Sequence, residues 1–380
     1  MFSRTHRSSL LAALLILGSA ALGAVVEAQE PGGLALPALP GPSPRARAAG
    51  HDTLKANEAC ASCHQEIAAE WRSSMHHQAW IDPVFQQAYA IETQAFCRGC
   101  HAPEADAASE PDENAKAVGV ACTTCHVQGD RVVGPRSVAL GASIEGSAAA
   151  SPHAVFGDAR LATRDACGSC HQFDFPGEKV TMQDTMREHA RSSFASVECQ
   201  ACHMPLTAPK DGARAHRSHA FAVMKNPAMI RKAATLTARR SGPRGVEITI
   251  AATGVGHSFP TGDMFRRLEV RAEAVDASGK VIARADPVHL GRTFTDEPRN
   301  GSHEFHRVQA TDTRVLPPGA GEPSLVALSF GQPVAAATIR WSVLYQRMGT
   351  AMAVSFGVDQ AIDEVVVGEG AIPPATGNVQ

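Results

Sequence analysis

The hydrophobic and polar positions follow two different patterns along the chain. Up to about residue 226, Ala-rich stretches with helical spacing of apolar residues predict short helices, most clearly over 66–80 and 182–194. From residue 227 onward, short segments rich in Val, Ile and Thr lie between turn signals and predict strands. The pattern therefore predicts an α+β multidomain protein, mainly helical and irregular at first and followed by a β-sandwich-like domain.

The predicted strands are short and separated by Gly-, Pro- and Asp-containing turns. A turn at Asp276-Ala277-Ser278-Gly279 joins two of them as a hairpin. Strands of this length, in this number, are typical of a β-sandwich. The alternative to a functional role for this domain is an accessory one, in which it only covers the preceding part of the chain. In chain order the predicted strands are 245–252, 267–275, 280–285, 313–316, 325–330, 337–345 and 364–367.

The first 50 residues have the composition of an export signal followed by a linker. Arg4 and Arg7 precede an apolar run from Leu10 to Val26, and small residues end the segment at Ala28. We therefore predict a signal peptide over 1–28 and export to the periplasm or cell surface, with a retained membrane anchor as the alternative. Residues 29–50 are rich in Pro and Gly and predict a flexible linker.

All ten cysteines belong to five C-x-x-C-H motifs. Two thiols one helical turn apart, followed at once by a histidine, are typical of covalent haem c attachment, in which the histidine binds the iron. A zinc ribbon or a redox-active thiol pair would not require histidine at that place in every motif. The motifs are Cys60–Cys63–His64 (motif 1), Cys97–Cys100–His101 (motif 2), Cys122–Cys125–His126 (motif 3), Cys167–Cys170–His171 (motif 4) and Cys199–Cys202–His203 (motif 5).

The motifs predict five covalent haem c groups in a pentahaem cytochrome c domain over 51–226, followed by the β-sandwich-like domain over 227–380. Aromatic residues make up only 5% of the chain, so the porphyrins would supply much of the apolar surface that the helical part lacks. The unequal intervals between motifs argue against a regular repeat.

Segments around the motifs resemble the multihaem cytochromes related to cytochrome c-554, the tetrahaem electron carrier of ammonia oxidisers. The similar segments are Trp71-Arg72-Ser73-Ser74-Met75-His76, Ser151-Pro152-His153, Met204-Pro205 after motif 5, and His219-Ala220-Phe221. Gly256-His257-Ser258-Phe259-Pro260-Thr261-Gly262 resembles a segment of larger relatives in which a histidine from a β-rich domain reaches a haem. The resemblance implies electron transfer through closely packed haems, each held by two histidines. The doubled His76-His77 and the fifth motif depart from the tetrahaem pattern.

Each iron needs a second axial ligand, and that ligand decides what the haem can do. We predict His76, His153, His219 and His257 for four irons, and His189 for the fifth, with the alternatives His51, His77 and His216 left open. If none of these candidates binds, one haem is five-coordinate.

Two functions follow from these alternatives. One is a carrier that passes single electrons to a redox protein or terminal acceptor; the other is a reductase or oxidase acting on a small nitrogen or sulfur compound at one open haem. All five motifs are ordinary in form, which favours the carrier. Sheet edges also allow self-assembly. A net charge of −3 gives no basic face for nucleic acid and leaves a membrane only as a docking surface.

Overall fold

The computed structural model describes residues 52–91, 93–106, 109–143, 150–175, 180–208, 215–221, 226–298, 305–355, 357 and 364–375. All of these belong to one compact unit. No described helix is both long enough and apolar enough to cross a membrane. The predicted signal peptide, the linker and His51 lie outside the described residues.

Short helices and small sheets make up the chain as far as residue 221. The helices are α1 Thr53–Cys63, α2 Gln65–Arg72, α3 Pro83–Ile91, α4 Ala95–His101, α5 Glu113–Val118, α6 Cys122–His126, a 3-10 helix Ala159–Ala162, α7 Asp165–His171, α8 Thr185–Ala190 and α9 Cys199–His203. The strands are β1 Val127–Gln128, β2 Arg131–Gly134, β3 Phe156–Gly157, β4 Gln172–Asp174 and β5 Thr181–Asp184. Strands β1, β2 and β3 form one sheet, and β4 pairs with β5.

Every C-x-x-C-H motif lies at the end of a helix. Motifs 2 to 5 end α4, α6, α7 and α9 at their histidines, whereas α1 ends at Cys63 and His64 separates it from α2. Residues three apart on a helix share a face, so both thiols of a motif face the same way.

Strands dominate the chain from residue 227. The elements are α10 Pro227–Arg231, β6 Ala234–Arg240, β7 Gly245–Ala252, β8 Arg267–Val275, β9 Val281–Arg284, β10 Val288–Pro298, β11 Phe305–Asp312, β12 Ser324–Ser329, β13 Thr338–Gln346, α11 Thr350–Ser355 and β14 Glu364–Ile372. One sheet has the order β11-β10-β8-β13-β14, with β9 also paired to β8, and the other has the order β12-β7-β6; all of these pairings are antiparallel.

A single apolar core joins these two sheets. Val246, Ile248 and Ile250 on β7 are fully buried and belong to one cluster with Leu268 and Val270 on β8. Side chains of a strand alternate between its two faces, so β7 buries every second residue on one face. The predicted fold class is confirmed: an α+β chain with a β-rich C-terminal part, whose two sheets share a core as in a sandwich.

The strand predictions agree best where alternation is strong. Strands β7 and β8 have the predicted bounds, and the pattern also placed β9, β12, β13 and β14. Residues 313–316 are not a strand, since Val315 makes only an isolated bridge to Phe259. The pattern missed β6, β10 and β11, in which exposed charged and polar residues dilute the apolar signal.

The two predicted helices are shorter than expected. The helix expected over 66–80 ends at Arg72, and turns carry the chain on to Trp80. The segment expected as a helix over 182–194 begins within β5, and only α8 is helical. Residues 129–152 are rich in Gly, Ser and Ala, a composition that predicts a loop, and strand β2 lies within this range.

Leu328→Ala should lower the free energy of unfolding by about 2–5 kcal/mol, because it opens a cavity in the shared core. Leu328 is 3% exposed, whereas Leu325 on the same strand is 60% exposed. Leu325→Ala is therefore the matched control and should change stability little. Denaturant unfolding measures both, and equal losses would contradict the assignment of this core.

Candidate haem-binding site

Four proximal histidines each face a second histidine from a distant part of the chain. The ring centroids are separated by 6.3 Å for His64 and His153, 6.3 Å for His76 and His171, 6.1 Å for His126 and His219, and 6.2 Å for His203 and His257.

This spacing is the one that an iron between two imidazoles requires. Two metal–imidazole bonds of about 2.0 Å, plus about 1.1 Å from each nitrogen to its ring centre, place the centroids about 6 Å apart. The four pairs therefore fit the two axial ligands of a haem c.

Hydrogen bonds at Nδ1 leave Nε2 available for the metal. In several of these histidines, Nδ1 donates to a main-chain carbonyl, which fixes the tautomer and orients the ring. The pairs are His126 to Val133 at 3.0 Å, His153 to Ala154 at 3.2 Å, His219 to Arg217 at 2.7 Å, His257 to Ser258 at 3.0 Å and His101 to Ala79 at 2.5 Å.

Burial keeps four of these imidazoles neutral, as metal binding requires. Burial first, and then nearby histidines, lowers the pKa of His76 and of His257 to about 3. The pKa values of His171 and His219 fall to about 4 for the same reasons.

His101 of motif 2 differs from the other four proximal histidines. Among the described residues, no histidine ring faces it, and its ring stacks on Phe85 with centroids 3.6 Å apart. His189, predicted as the fifth distal ligand, lies instead beside Gly256 and Phe194, next to the segment that carries His257. Its assignment to an iron stays a prediction.

The other two described alternatives also have their own contacts. The ring of His77 packs against Trp71 at 4.4 Å, and its Nδ1 bonds to the Arg72 carbonyl at 3.1 Å. The Nε2 of His216 lies 3.2 Å from the Glu70 carboxylate.

Charged side chains from both parts of the chain lie near His101. Arg347 makes a two-pronged ion pair with Asp82, and the two side chains are 11% and 8% exposed. Burial lowers the pKa of His101, and the charge of Arg347 also lowers it, whereas the Ala79 carbonyl, Asp82 and Asp263 oppose the shift. Sequence reasoning missed this cluster because Asp82 and Arg347 are 265 positions apart and neither belongs to a motif.

Motif 4 lies against motifs 2 and 5. The Sγ atoms of Cys100 and Cys170 lie close together, as do those of Cys167 and Cys199. Close to the second contact, the side chain of Gln200 donates to the main-chain carbonyl of Thr163 at 2.6 Å.

Motif 3 lies against motif 1 and is also close to motif 4. The main-chain N–H of Cys122 donates to the buried side chain of Asn57 on α1 at 2.8 Å. Burial and the neighbouring Cys60 raise the pKa of Cys122 to about 11. Burial and then Cys170 raise the pKa of Cys125 to about 12.

Phe221 links the second ligands of motifs 3 and 4. Its ring meets that of His76 edge to face at 4.2 Å and that of His219 at 5.8 Å. Together with the contacts described above, this means that every attachment motif lies close to another one. Motif 1 lies close to motif 3, and motif 4 lies close to motifs 2, 3 and 5.

Comparison with known proteins supports the haem assignment. Residues 59–127 match the family described as cytochrome c554 and c-prime. A solved structure with a similar fold is a penta-heme cytochrome c552 from Thermochromatium tepidum, with a TM-score of 0.63 and 22% identity, over 83% of this chain and 98% of that one. No curated protein sequence matches the chain.

His257→Ala should convert one haem from low-spin to high-spin, because its iron loses the second imidazole. His289→Ala is the control, since the His289 ring lies on β10 and its Nε2 is 3.3 Å from Glu269. Low-temperature electron paramagnetic resonance of the oxidised protein measures both. A high-spin signal from His289→Ala, or none from His257→Ala, would contradict the pairing.

Proposed function

We propose that the chain is a multihaem c-type cytochrome related to the cytochrome c554 family, and that it carries single electrons through five covalently bound haems as an exported respiratory protein. Electron transfer and covalent haem c agree with the family match and the fold. The count of five rests on the five motifs.

The four imidazole pairs are the main observation that supports electron transfer as the function. Haem c supplies one-electron iron chemistry, and two histidine ligands keep the iron six-coordinate, which suits electron transfer rather than substrate binding. Four of these ligands, His126, His153, His219 and His257, are oriented by hydrogen bonds from Nδ1 to main-chain carbonyls, so little rearrangement is needed between redox states.

The contacts between motifs support a continuous path. Motif 1 adjoins motif 3, motif 3 lies close to motif 4, and motif 4 adjoins motifs 2 and 5. We propose that motif 4 is the branch point of this path and that motifs 1, 2 and 5 are its ends.

The proposed cellular location rests on the sequence of the N-terminal segment. Residues 1–28 have the pattern of a signal peptide, so the protein would act in the periplasm or at the cell surface. Its partners would be redox proteins or a terminal electron acceptor. A membrane would serve only as a docking surface, and the sheet edges also allow self-assembly.

Mass spectrometry of the purified protein should show five covalent haems on a chain that begins near Gln29, and coulometric titration should take up five electrons per chain. Both follow from one haem for each motif. Four haems or four electrons would mean that one motif is not used.

A second function is favoured by the surroundings of His101. No described histidine faces it, and charged groups including Asp82, Arg347 and Asp263 lie nearby. An open iron beside arginine and aspartate side chains suits a reductase or oxidase that acts on a small nitrogen or sulfur compound.

Electron paramagnetic resonance and carbon monoxide binding to the reduced protein separate the two functions. A carrier with every iron six-coordinate should show only low-spin ferric signal and no carbon monoxide adduct. A high-spin signal from about one haem in five, together with one bound carbon monoxide per chain, would establish an open haem and favour the enzyme.

A further inference from the structure

A buried carboxylate joins the segment that carries His257 to the haem-motif region. Glu188 on α8 is fully buried, and its Oε2 accepts hydrogen bonds from the Thr261 hydroxyl at 2.6 Å and from the Ser258 main-chain N–H at 3.2 Å. Residues 256–262 thus donate two hydrogen bonds to an element that lies far away in the sequence.

Arg314 balances the charge of Glu188. Its guanidinium lies 2.6 Å from the Glu188 carboxylate and 2.7 Å from that of Asp312, and it also donates to the Pro260 carbonyl at 3.4 Å. A charge buried this deeply is tolerated only with such partners. Glu188 and Arg314 therefore hold residues 256–262 from two sides.

Close packing restricts the same segment at its start. A Cβ added to Gly256 would lie 3.1 Å from atoms of both His189 and Phe194. Further along the segment, Phe259 and Val315 exchange main-chain hydrogen bonds of 2.8 and 3.0 Å.

Ser258 connects Glu188 to the ring of His257. Its N–H donates to Glu188, and its carbonyl accepts from Nδ1 of His257 at 3.0 Å. A carboxylate that anchors the Ser258 N–H restrains the residue whose carbonyl orients the imidazole, and such outer partners tune metal ligands in other proteins.

We propose that Glu188 is the positioning residue for His257 and holds its imidazole on the iron of the motif 5 haem. The inference rests on the proposed function only in requiring that His257 is an iron ligand. Without the carboxylate, two buried donors and the Arg314 charge lose a partner, and the segment shifts away from His203.

The test compares Glu188→Ala and Glu188→Gln with His257→Ala by electron paramagnetic resonance. Glu188→Ala should turn about one haem in five high-spin, as His257→Ala does, and Glu188→Gln should give a smaller high-spin fraction because the amide keeps one acceptor oxygen. The double variant Glu188→Ala/His257→Ala should show no more high-spin haem than His257→Ala alone, because both act on the same iron.

Glu269→Gln is the matched control for a purely structural role. Glu269 is 5% exposed and bonds to Gln346 at 2.9 Å and to the Arg267 guanidinium at 3.4 Å, within the β-rich part. Glu269→Gln should lower the melting temperature and leave all haems low-spin, and Glu188→Gln should change the spin state in addition.

A second pair of variants tests the packing at Gly256. Gly256→Ala should raise the high-spin fraction because the methyl group meets His189 and Phe194, whereas Gly331→Ala, with open space around its position, should not. If the Glu188 variants stay fully low-spin while His257→Ala does not, the positioning role is wrong and the carrier function stands. If His257→Ala itself stays low-spin, the ligand assignment fails first.

Discussion

Pairing of histidines from distant segments is the constraint on which the structure depends. An iron held by two histidines needs their imidazoles about 6 Å apart, centre to centre, and the four described pairs meet that spacing while joining residues that are far apart in the sequence. His153 returns to motif 1, and His76 reaches forward to motif 4. The haem sites thus tie the chain together in a region where short helices and few aromatic residues offer little other core.

The attachment residues could be predicted from the sequence because their chemistry is local. Two thiols one turn apart and a following histidine are specified within five positions, so motifs 1 to 5 needed no tertiary information. The second ligands are not local. The structure brings His76, His153, His219 and His257 opposite proximal histidines, whereas it places His189 beside Gly256. Nothing in the sequence around His189 distinguishes a ligand from a histidine that packs beside one.

The β-rich part likewise contains features that the sequence predicts and features that it does not. Strands β7 and β8 alternate strongly between apolar and polar residues and were predicted with the correct bounds, because one face of each packs into the shared core. Strand β10 runs outward into an exposed ribbon with β11, where burial no longer selects apolar residues. The contacts of this part with the haem region, through Arg314 and Arg347, rest on ion pairs between positions far apart, which no periodicity can reveal.

The brevity of the motif helices has a consequence for biosynthesis. Helices α6 and α9 are only five residues long, and an isolated helix of that length does not persist in water. The thiols of a chain that has not yet folded are therefore accessible to an attachment machinery. Because His257 lies C-terminal to all five motifs, the haem of motif 5 would gain its second ligand only after the start of the β-rich part has been synthesised and folded. Until then its iron would be open to oxygen and peroxide, so the maturing protein passes through a reactive stage that the finished structure conceals.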